Sequence, residues 1–342
     1  MFTSKPVNNR NNRSLTIDPK LPFLGEALDR QQAQSRLAAL FPAATCSLAA
    51  IHLIRHKPGR RCLIEYDLIV ETPTSVQTVA LIGKVRAKGL DRASYELQRA
   101  LWNQGFAADS ADGISVPEPI GIISEWQMWL QRKVPGTIAT DQLLQTDGVA
   151  LAHRIAEAAY KLHQTQIPAS RHHTMTDELR ILHERLPLVS QQHPEWRSRI
   201  EQVLDQCDRL GAAIPEPLPC GIHRDFYGDQ IIVDGDRLYL LDLDLYCESN
   251  PALDVGNFMG HITEYSLRKF GNPDALGDRE AALQERFIQL AGIELRPAIE
   301  AYALLTLVRH IYISTQFPER RYCTESLLEL SEQRLSCLLR FL

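Results

Sequence analysis

The stretch HRDFYGDQIIVDGDRLYLLDLD, residues 223–244, carries the clearest structural signal in this chain. Two apolar runs, Ile231–Val233 and Leu238–Leu241, flank Asp234-Gly235, a dipeptide typical of tight β-hairpin turns. A hairpin returns its second strand beside the first. The polar side chains that precede this hairpin are therefore expected to lie close to those that follow it.

The expected hairpin collects oxygen-bearing side chains from both of its ends, namely Asp225, Asp229, Gln230, Asp242 and Asp244. Carboxylates gathered at one place repel each other unless a cation lies among them. Oxygen ligands of this kind suit Mg²⁺, which takes one or two carboxylates together with substrate phosphates. Phosphoryl transfer needs such a metal and a carboxylate that accepts the proton of the attacking hydroxyl. The apolar setting, LLDLDLY, argues against a surface hairpin with solvated acids.

This segment resembles the catalytic region of the aminoglycoside phosphotransferase and choline kinase family, a branch of the protein-kinase-like fold. The family pattern is H-x-D-x-x-x-x-N, then a hairpin, then an aspartate that binds metal. His223 and Asp225 match its first two positions, and Asp242 falls on the metal aspartate. Gln230 falls where the family has asparagine. The resemblance covers roughly residues 50–330 in the order of the elements and is most specific between residues 221 and 258.

Two shorter matches accompany this pattern. Residues 250–254, NPALD, resemble the family's D-P-A-x-D stretch, and residues 161–163, KLH, resemble its helix end. The resemblance implies an α+β, protein-kinase-like fold of two lobes, with a small β-rich N-lobe and a larger, mainly helical C-lobe. It also implies that Asp254 accepts hydrogen bonds from loop amides or from Arg224.

The resemblance assigns roles to the residues of the hairpin segment. Asp225 is the expected catalytic base, and His223 is expected to orient the catalytic loop. Asp242 and Gln230 are expected to hold Mg²⁺, with Asp244 at the periphery of the metal. Glutamine keeps the amide oxygen of asparagine but adds a methylene, so three outcomes stay open: the loop compensates, Asp229 replaces the ligand, or the metal site is weakened.

The first part of the chain is predicted to be β-rich and to bind the nucleotide. A helix is predicted over residues 25–40, strand-like stretches lie between residues 46 and 71 and at residues 76–86, and a second helix is expected over residues 92–104. A further short strand is expected over residues 114–123. The resemblance implies that a third-strand lysine holds phosphate oxygens and pairs with a glutamate of the next helix. Lys84 and Glu96 occupy those positions, and Arg86 on the same strand face is a rival to Lys84.

Other nucleotide contacts are expected around the first turn and the last strand of this part. The turn at residues 57–61 stands where kinases have a glycine-rich loop; it holds one glycine, and Arg60 is expected to contact phosphates. Met128 and Leu130 are expected to line the adenine pocket beside a hinge strand at residues 126–132. The chain has no G-x-x-x-x-G-K-[ST] motif, which argues against a P-loop kinase.

The amino-acid composition limits the binding partners and the cellular location that can be expected for this protein. The 342 residues carry a formal net charge of −5, which gives no basic footprint for nucleic acid, and no apolar run is long enough to span a membrane. The seven cysteines are scattered, without paired spacing, so free thiols in the cytoplasm are expected. We predict a disordered tail at residues 1–16, a nucleotide-binding lobe at residues 17–132, and a helical lobe with the catalytic loop and acceptor site at residues 133–342.

The sequence therefore predicts a kinase that transfers the γ-phosphate of ATP or GTP to a hydroxyl of a small molecule. The resemblance permits an amino sugar, an aminoglycoside, a choline-like compound or a sugar as acceptor; it leaves the acceptor and the oligomeric state open. The alternative is a pseudokinase that acts as a nucleotide-binding or protein-interaction module; Gln230 and the glycine-poor turn favour it, whereas Asp225 and Asp242 argue against it. A metal-dependent hydrolase is disfavoured because the other histidines lack ligand spacing.

Overall fold

The computed structural model describes residues 18–215 and 217–340, and the predicted tail at residues 1–16 lies outside the described residues. The chain divides into two compact units, one ending at Pro135 and the other beginning at Gly136, whereas the boundary predicted from sequence follows residue 132. The first unit is built around an antiparallel sheet and the second is mainly helical. The α+β, kinase-like fold class predicted from the sequence is confirmed.

The elements of the first unit are, in chain order, α1 (Leu24–Leu28), α2 (Arg30–Ala38), β1 (Thr45–Lys57), β2 (Arg61–Thr72), β3 (Ser75–Arg86), α3 (Arg92–Leu101), β4 (Ile114–Ser115), β5 (Pro119–Ile123) and β6 (Met128–Arg132). Five of the strands form an antiparallel sheet in the order β1-β2-β3-β6-β5. Alternate residues of β3 are buried, which leaves Ile82, Lys84 and Arg86 together on its less buried face.

Three expectations for this unit need correction. The single helix expected over residues 25–40 is two helices, because the Asp29 carboxylate accepts hydrogen bonds from the backbone of Gln31 and Gln32 and caps α2. The strand expected over residues 114–123 is interrupted by Pro117, which cannot donate to a strand partner. Strand β6 begins at Met128, after a 3₁₀ turn, and not at residue 126.

The second unit contains, in chain order, β7 (Thr137–Ile138), α4 (Ala139–Gln142), α5 (Gly148–His163), α6 (Met175–Gln192), α7 (Arg197–Ala213), β8 (Cys220–Ile222), β9 (Ile231–Asp234), β10 (Arg237–Leu240), β11 (Cys247–Ser249), α8 (Ala252–Phe270), α9 (Gly277–Ala291), α10 (Arg296–Thr315) and α11 (Thr324–Leu338). The long helix α5 begins at Gly148, after the separate short helix α4. Helix α8 is buried along most of its length and forms the centre of this unit.

Helices α8 and α10 pack closely because two glycines of α8 face α10. A Cβ atom at Gly256 would lie 2.6 Å from Cβ of Tyr302, and one at Gly260 would lie 2.7 Å from the carbonyl oxygen of Ala303. Any larger side chain at either position would push the helices apart. This close approach brings His261 of α8 next to His310 of α10, with ring centroids 4.6 Å apart.

The described residues also test two simpler expectations. All seven cysteines are free thiols, as predicted. No helix within residues 18–215 and 217–340 is long and apolar enough to cross a membrane.

Replacing Glu280 is expected to remove a pH-dependent loss of stability. Its carboxylate accepts a hydrogen bond from Thr263 at 2.7 Å, and burial raises the pKa of Glu280 from 4.5 to about 7. The folded pKa is above the unfolded one, so the free energy of unfolding falls as the pH rises from 4.5 to about 7, by on the order of 3 kcal/mol. In Glu280→Gln this decrease should be absent, because glutamine still accepts from Thr263 but does not ionise.

Urea unfolding at pH 5 and pH 8 measures this effect. The matched control is Glu285→Gln, which removes an exposed carboxylate of the same helix paired with Arg296. The control should keep the wild-type pH dependence. An equal decrease in wild type and Glu280→Gln would show that Glu280 is already ionised at low pH.

Candidate active site

The segment singled out in the sequence forms a loop between β8 and β9, followed by a two-stranded hairpin. Strands β9 and β10 pair in antiparallel register from Asp234↔Arg237 to Ile231↔Leu240. Gly235 is the first of the two turn residues, with φ +56°, a backbone conformation that favours glycine. The backbone N–H of Leu241 donates to the carbonyl of Gln230 at 2.8 Å. The two ends of the hairpin therefore lie side by side, as predicted.

The acidic side chains from the two ends of the hairpin all influence the hydroxyl of Tyr227. Burial raises the pKa of the Tyr227 hydroxyl to about 12, and the negative charges of Asp225, Asp229 and Asp242 add to the rise. The charges of all three carboxylates therefore act on this hydroxyl. Asp225 and Asp242 are both half-buried, so their side chains keep some access to solvent.

The amide of Gln230 is oriented by two hydrogen bonds. Its Nε2 donates to Oδ2 of Asp225 at 3.3 Å and to the hydroxyl of Tyr227 at 3.4 Å. With the amide nitrogen committed to these two acceptors, Oε1 is the atom of Gln230 that can accept or ligate. The loop thus uses a glutamine to orient Asp225 while presenting an oxygen on the other side of the amide.

A buried carboxylate, that of Asp254, holds the loop in place. Its two oxygens accept from the backbone N–H groups of His223, at 2.9 Å, and Arg224, at 2.7 Å. Nε2 of His163, at the end of α5, lies 2.8 Å from Oδ2 of the same carboxylate. The interpretation that Asp254 accepts from loop amides is confirmed. His163 was noted in the sequence only as part of a helix end, and its contact joins two segments 91 residues apart.

Two further contacts fix the loop. Nε2 of His223 donates to the carbonyl of Leu241 at 2.7 Å, which ties the start of the loop to the residue before Asp242. The amide of Asn257 on α8 donates to the carbonyl of Phe226 at 2.9 Å. The role of His223 in orienting the loop, expected from the resemblance, stays a prediction, and the first contact is the observation that supports it. Asn257 gave no signal in the sequence.

The backbone is strained at the residue before Asp225 and at Asp242 itself. Arg224, with φ +70°, and Asp242, with φ +52°, adopt the left-handed conformation that non-glycine residues seldom take. Such conformations persist where the surrounding contacts over-determine them and are common at functional sites. Asp254 supplies the contact at Arg224, and the Leu241 backbone bonds to Gln230 and His223 hold the chain before Asp242.

The donor set around Asp242 fits Mg²⁺ chemically. Asp242 offers carboxylate oxygens and Gln230 offers Oε1, and a hard divalent cation uses such oxygens together with phosphates and waters. Within the described ranges, no group of three or more His, Cys, Asp or Glu side chains could hold a metal alone. Asp229 is held by the Thr140 hydroxyl at 2.7 Å, and the carbonyl of Asp244 accepts from Arg171 at 2.6 Å. The predicted roles of Asp242, Gln230 and Asp244 toward a metal stay predictions.

The predicted phosphate-binding residues lie in the first unit. Lys84 on β3 is half-buried, and its ammonium stands over the ring of Trp129 on β6, 4.7 Å from the centroid. The Glu96 carboxylate lies 2.6 Å from Arg99 on the same helix, and Arg86 pairs with Asp91 at 3.2 Å. The pairing of Lys84 with Glu96 stays a prediction.

The other residues that are predicted to contact the nucleotide differ in their exposure to solvent. Arg60 is exposed in the turn between β1 and β2. Buried Asp18 anchors this turn by accepting from the Gly59 backbone at 2.8 Å, a contact that the sequence did not suggest. Met128 and Leu130 are wholly buried in the hydrophobic core of the first unit. Their contact with adenine, like that of Arg60 with phosphate, stays a prediction.

Comparison with known families decides the class of the protein. The model of the APH family, described as the phosphotransferase enzyme family, matches residues 89–299, more than half of the chain. The chain belongs to this family. The matched range includes the loop at residues 223–230, Asp242 and Asp254 and begins shortly after Lys84. The resemblance and the enzyme class predicted from the sequence, a kinase-type phosphotransferase, are both confirmed.

Solved structures show the same fold at low sequence identity. A choline/ethanolamine kinase family protein from Mesorhizobium loti has 13% identity and a TM-score of 0.56, with 90% of this chain and 94% of that one covered. Plasmodium vivax ethanolamine kinase has 14% identity and a TM-score of 0.55, with 95% and 90% covered. A thermostable mutant of aminoglycoside phosphotransferase APH(4)-Ia, in a ternary complex with AMP-PNP and hygromycin B, has 15% identity and a TM-score of 0.51, with 90% and 97% covered. No curated protein matches the chain.

Proposed function

We propose that this family member is a small-molecule kinase that transfers the γ-phosphate of ATP, or of GTP, to a hydroxyl of an acceptor. The observation that carries the proposal is the state of Asp225. This half-buried carboxylate is oriented by Gln230 and lies on a loop that buried Asp254 holds in one conformation. A base held this way is ready to receive a proton from a bound hydroxyl. The matched structure with AMP-PNP supports the choice of an adenine nucleotide.

The proposed transfer is a single displacement at the γ-phosphorus. The acceptor oxygen forms a bond to the γ-phosphorus while the bond from that phosphorus to the β,γ-bridging oxygen breaks, and the nucleoside diphosphate leaves. The proton of the acceptor hydroxyl passes to the Asp225 carboxylate. In the loose transition state of this reaction, the phosphoryl group is only weakly bonded to the attacking and leaving oxygens. The residues therefore act mainly by positioning the reactants and by stabilising the charge on the phosphoryl oxygens.

In this proposal Asp242 and Oε1 of Gln230 hold Mg²⁺, with Asp244 at its periphery, and His223 keeps the loop in register. When bound, Mg²⁺ neutralises the charge of the nucleotide phosphates. Asp242 itself has the left-handed backbone conformation, with φ +52°.

The first unit is proposed to hold the nucleotide. Lys84 contacts phosphate oxygens with Glu96 as its partner, Arg60 contacts phosphate from the β1–β2 turn, and Met128 and Leu130 lie beside the adenine. The charges around that turn support this role, since Arg55, Arg61 and Arg60 lower the pKa of Lys57 and so mark a dense cationic tip. The free thiols of the chain suit the reducing cytoplasm, which is its proposed location.

The direct test is transfer of labelled phosphate. Wild-type protein is incubated with Mg²⁺, ATP labelled at the γ-phosphorus and a panel of hydroxyl compounds that includes amino sugars, sugars, aminoalcohols and hydroxy acids. The label should move to at least one organic acceptor, with release of one ADP per transfer. Binding of Mg·ATP without transfer to any compound would favour the pseudokinase alternative.

A further inference from the structure

A buried ion pair joins helices α6 and α10 of the second unit. Arg309 donates to one carboxylate oxygen of Glu178 at 2.9 Å, and Nε2 of His173 donates to the other at 2.6 Å. The side chain of Glu178 is 3% exposed and that of Arg309 is 20% exposed. Burial acts to raise the pKa of Glu178, but the charge of Arg309 and the hydrogen bond from His173 outweigh it and lower this pKa. Both members of the pair are therefore charged inside the protein.

Arg309 also contacts Asn257 of α8. A second guanidinium nitrogen donates to Oδ1 of Asn257, as does the hydroxyl of Thr306 at 3.3 Å. The amide nitrogen of Asn257 donates to the carbonyl of Phe226 at 2.9 Å. A guanidinium has only donors and a carbonyl only accepts, so these two neighbours fix which end of the amide faces which way. Arg309 therefore sets the orientation in which Asn257 can hold the loop at residues 223–230.

The proposed base, Asp225, lies between two anchors of the backbone. Before it, the buried carboxylate of Asp254 accepts from two successive backbone N–H groups. After it, the carbonyl of Phe226 accepts from Asn257, whose side chain is fully buried. Anchors on both sides of one residue restrict the direction of its side chain more than either anchor does alone. The second anchor depends on the contact from Arg309.

The ion pair is also connected to the segment that follows Asp242. The backbone N–H of His173 donates to the carbonyl of Glu248 at 3.0 Å, and the carbonyl of His173 accepts from the hydroxyl of Ser249 at 2.6 Å. Glu248 and Ser249 belong to β11, shortly after Asp242 in the chain. The same series of hydrogen bonds therefore reaches the segments that follow the proposed base and the proposed metal ligand.

Stability alone does not explain a charged pair at this place. Taking a carboxylate and a guanidinium out of water costs free energy, and apolar side chains of similar volume often stabilise a protein as well or better. The planar guanidinium instead offers several donors in a fixed geometry, which lets one side chain hold two partners in defined directions. Arg309 uses this geometry to hold Glu178 and Asn257 together.

We propose that Arg309 is a positioning residue for phosphoryl transfer: through Asn257 it fixes the carbonyl of Phe226, and with it the direction of the Asp225 carboxylate. This inference rests on the proposed function for the role of Asp225 as base. Arg309 acts through Asn257 and not by contact with the reactants. Loss of its contact should therefore lower kcat and leave the KM for ATP unchanged.

Two conservative variants test this role. Asn257→Asp still accepts from Arg309 but has no amide hydrogen for the carbonyl of Phe226. Arg309→Lys keeps a cation opposite Glu178 but replaces the guanidinium with a single ammonium. In both variants kcat for the transfer of labelled phosphate should fall about 10- to 100-fold, the cost of a small displacement of a catalytic group, with the KM for ATP within about twofold of wild type.

Backbone hydrogen exchange reports on the loop without any substrate. The N–H groups of the loop include that of Gln230, which donates to the carbonyl of Tyr227 at 2.9 Å. Loss of one anchoring hydrogen bond should speed exchange in residues 223–230 by about tenfold in both variants, as measured by mass spectrometry. The control is Asn272→Asp, which adds the same charge at an exposed position just after α8 and should keep wild-type exchange and kcat.

The outcomes separate positioning from a purely structural role. A structural role would lower the melting temperature and leave kcat per folded molecule unchanged. A wild-type kcat in Asn257→Asp, a change in KM alone, or unchanged exchange of the loop would overturn the inference. If the wild-type protein transfers no phosphate, the proposed function fails, and the exchange of the loop then decides the inference by itself.

Discussion

Asp225→Asn is expected to lower the rate of phosphoryl transfer by about 10²- to 10⁴-fold, the usual contribution of a positioned general base. Asparagine has nearly the same shape but cannot accept the proton of the acceptor hydroxyl. The melting temperature should stay close to that of wild type, because Asp225 is half-buried and its only side-chain hydrogen bond within residues 18–215 and 217–340 is with the Gln230 amide, at 3.3 Å. Binding of Mg·ATP should also be retained.

Transfer of labelled phosphate to the best acceptor of the panel, at saturating ATP, measures this effect. The matched control is Asp236→Asn, an exposed aspartate in the turn of the same hairpin, which should keep the wild-type rate. A rate for Asp225→Asn within threefold of wild type, with an unchanged melt, would show that another group receives the proton.

Asp254→Ala is expected to lower the free energy of unfolding by about 3–5 kcal/mol, because buried hydrogen-bond donors left without an acceptor cost about 1–3 kcal/mol each. The Asp254 side chain is fully buried and accepts from the backbone of His223 and Arg224 while contacting His163. Alanine leaves all three donors without an acceptor inside the protein. Because the loop loses its anchor, phosphoryl transfer should also fall in the protein that remains folded.

Urea unfolding measures the loss of stability. Asp208→Ala is the control, because this exposed carboxylate pairs with His183 on the surface and should contribute about 0–1 kcal/mol. A loss below about 1 kcal/mol in Asp254→Ala would mean that the loop is held by other contacts, and the account of its rigidity would be wrong.

The local features of the site could be predicted from sequence. The Asp-Gly pair between two apolar runs specifies a hairpin through the conformation of its turn, and Gly235 takes the positive φ that the turn requires. A hairpin brings its own ends together, so the proximity of Gln230 to Leu241 followed directly. The burial alternation of β3, which sets Lys84 on the less buried face, followed in the same way from the strand period.

The contacts that hold the site together could not be predicted from the sequence, because they join segments that lie far apart along the chain. His163 and Asp254 are 91 residues apart, and Asn257 reaches Phe226 from a different helix. A helical pattern indicates which face is buried but not which neighbour it meets. The approach of His261 to His310 depends on the close packing of α8 at Gly256 and Gly260 against α10, which one sequence does not reveal.

The hydrogen bonds of Gln230 explain how glutamine can replace the family's asparagine at residue 230. The longer side chain still reaches Asp225 with its amide nitrogen, and the Tyr227 hydroxyl provides a second acceptor for the same nitrogen. Of the outcomes left open by the sequence, compensation by the loop is the one this geometry favours. Asp229, the alternative ligand, is engaged by the Thr140 hydroxyl.

The measurement that tests the central claim most directly is Mg²⁺-dependent stabilisation by ATP and GTP in a thermal melt of wild type, Asp242→Ala and the control Asp236→Ala. At about 100 times the dissociation constant, a nucleotide adds about 2.7 kcal/mol, a shift of several degrees. We predict that wild type and Asp236→Ala show this shift only with Mg²⁺, and that Asp242→Ala loses it. No shift with either nucleotide, or an equal Mg²⁺-dependent shift in Asp242→Ala, would contradict a metal–nucleotide site at this end of the hairpin.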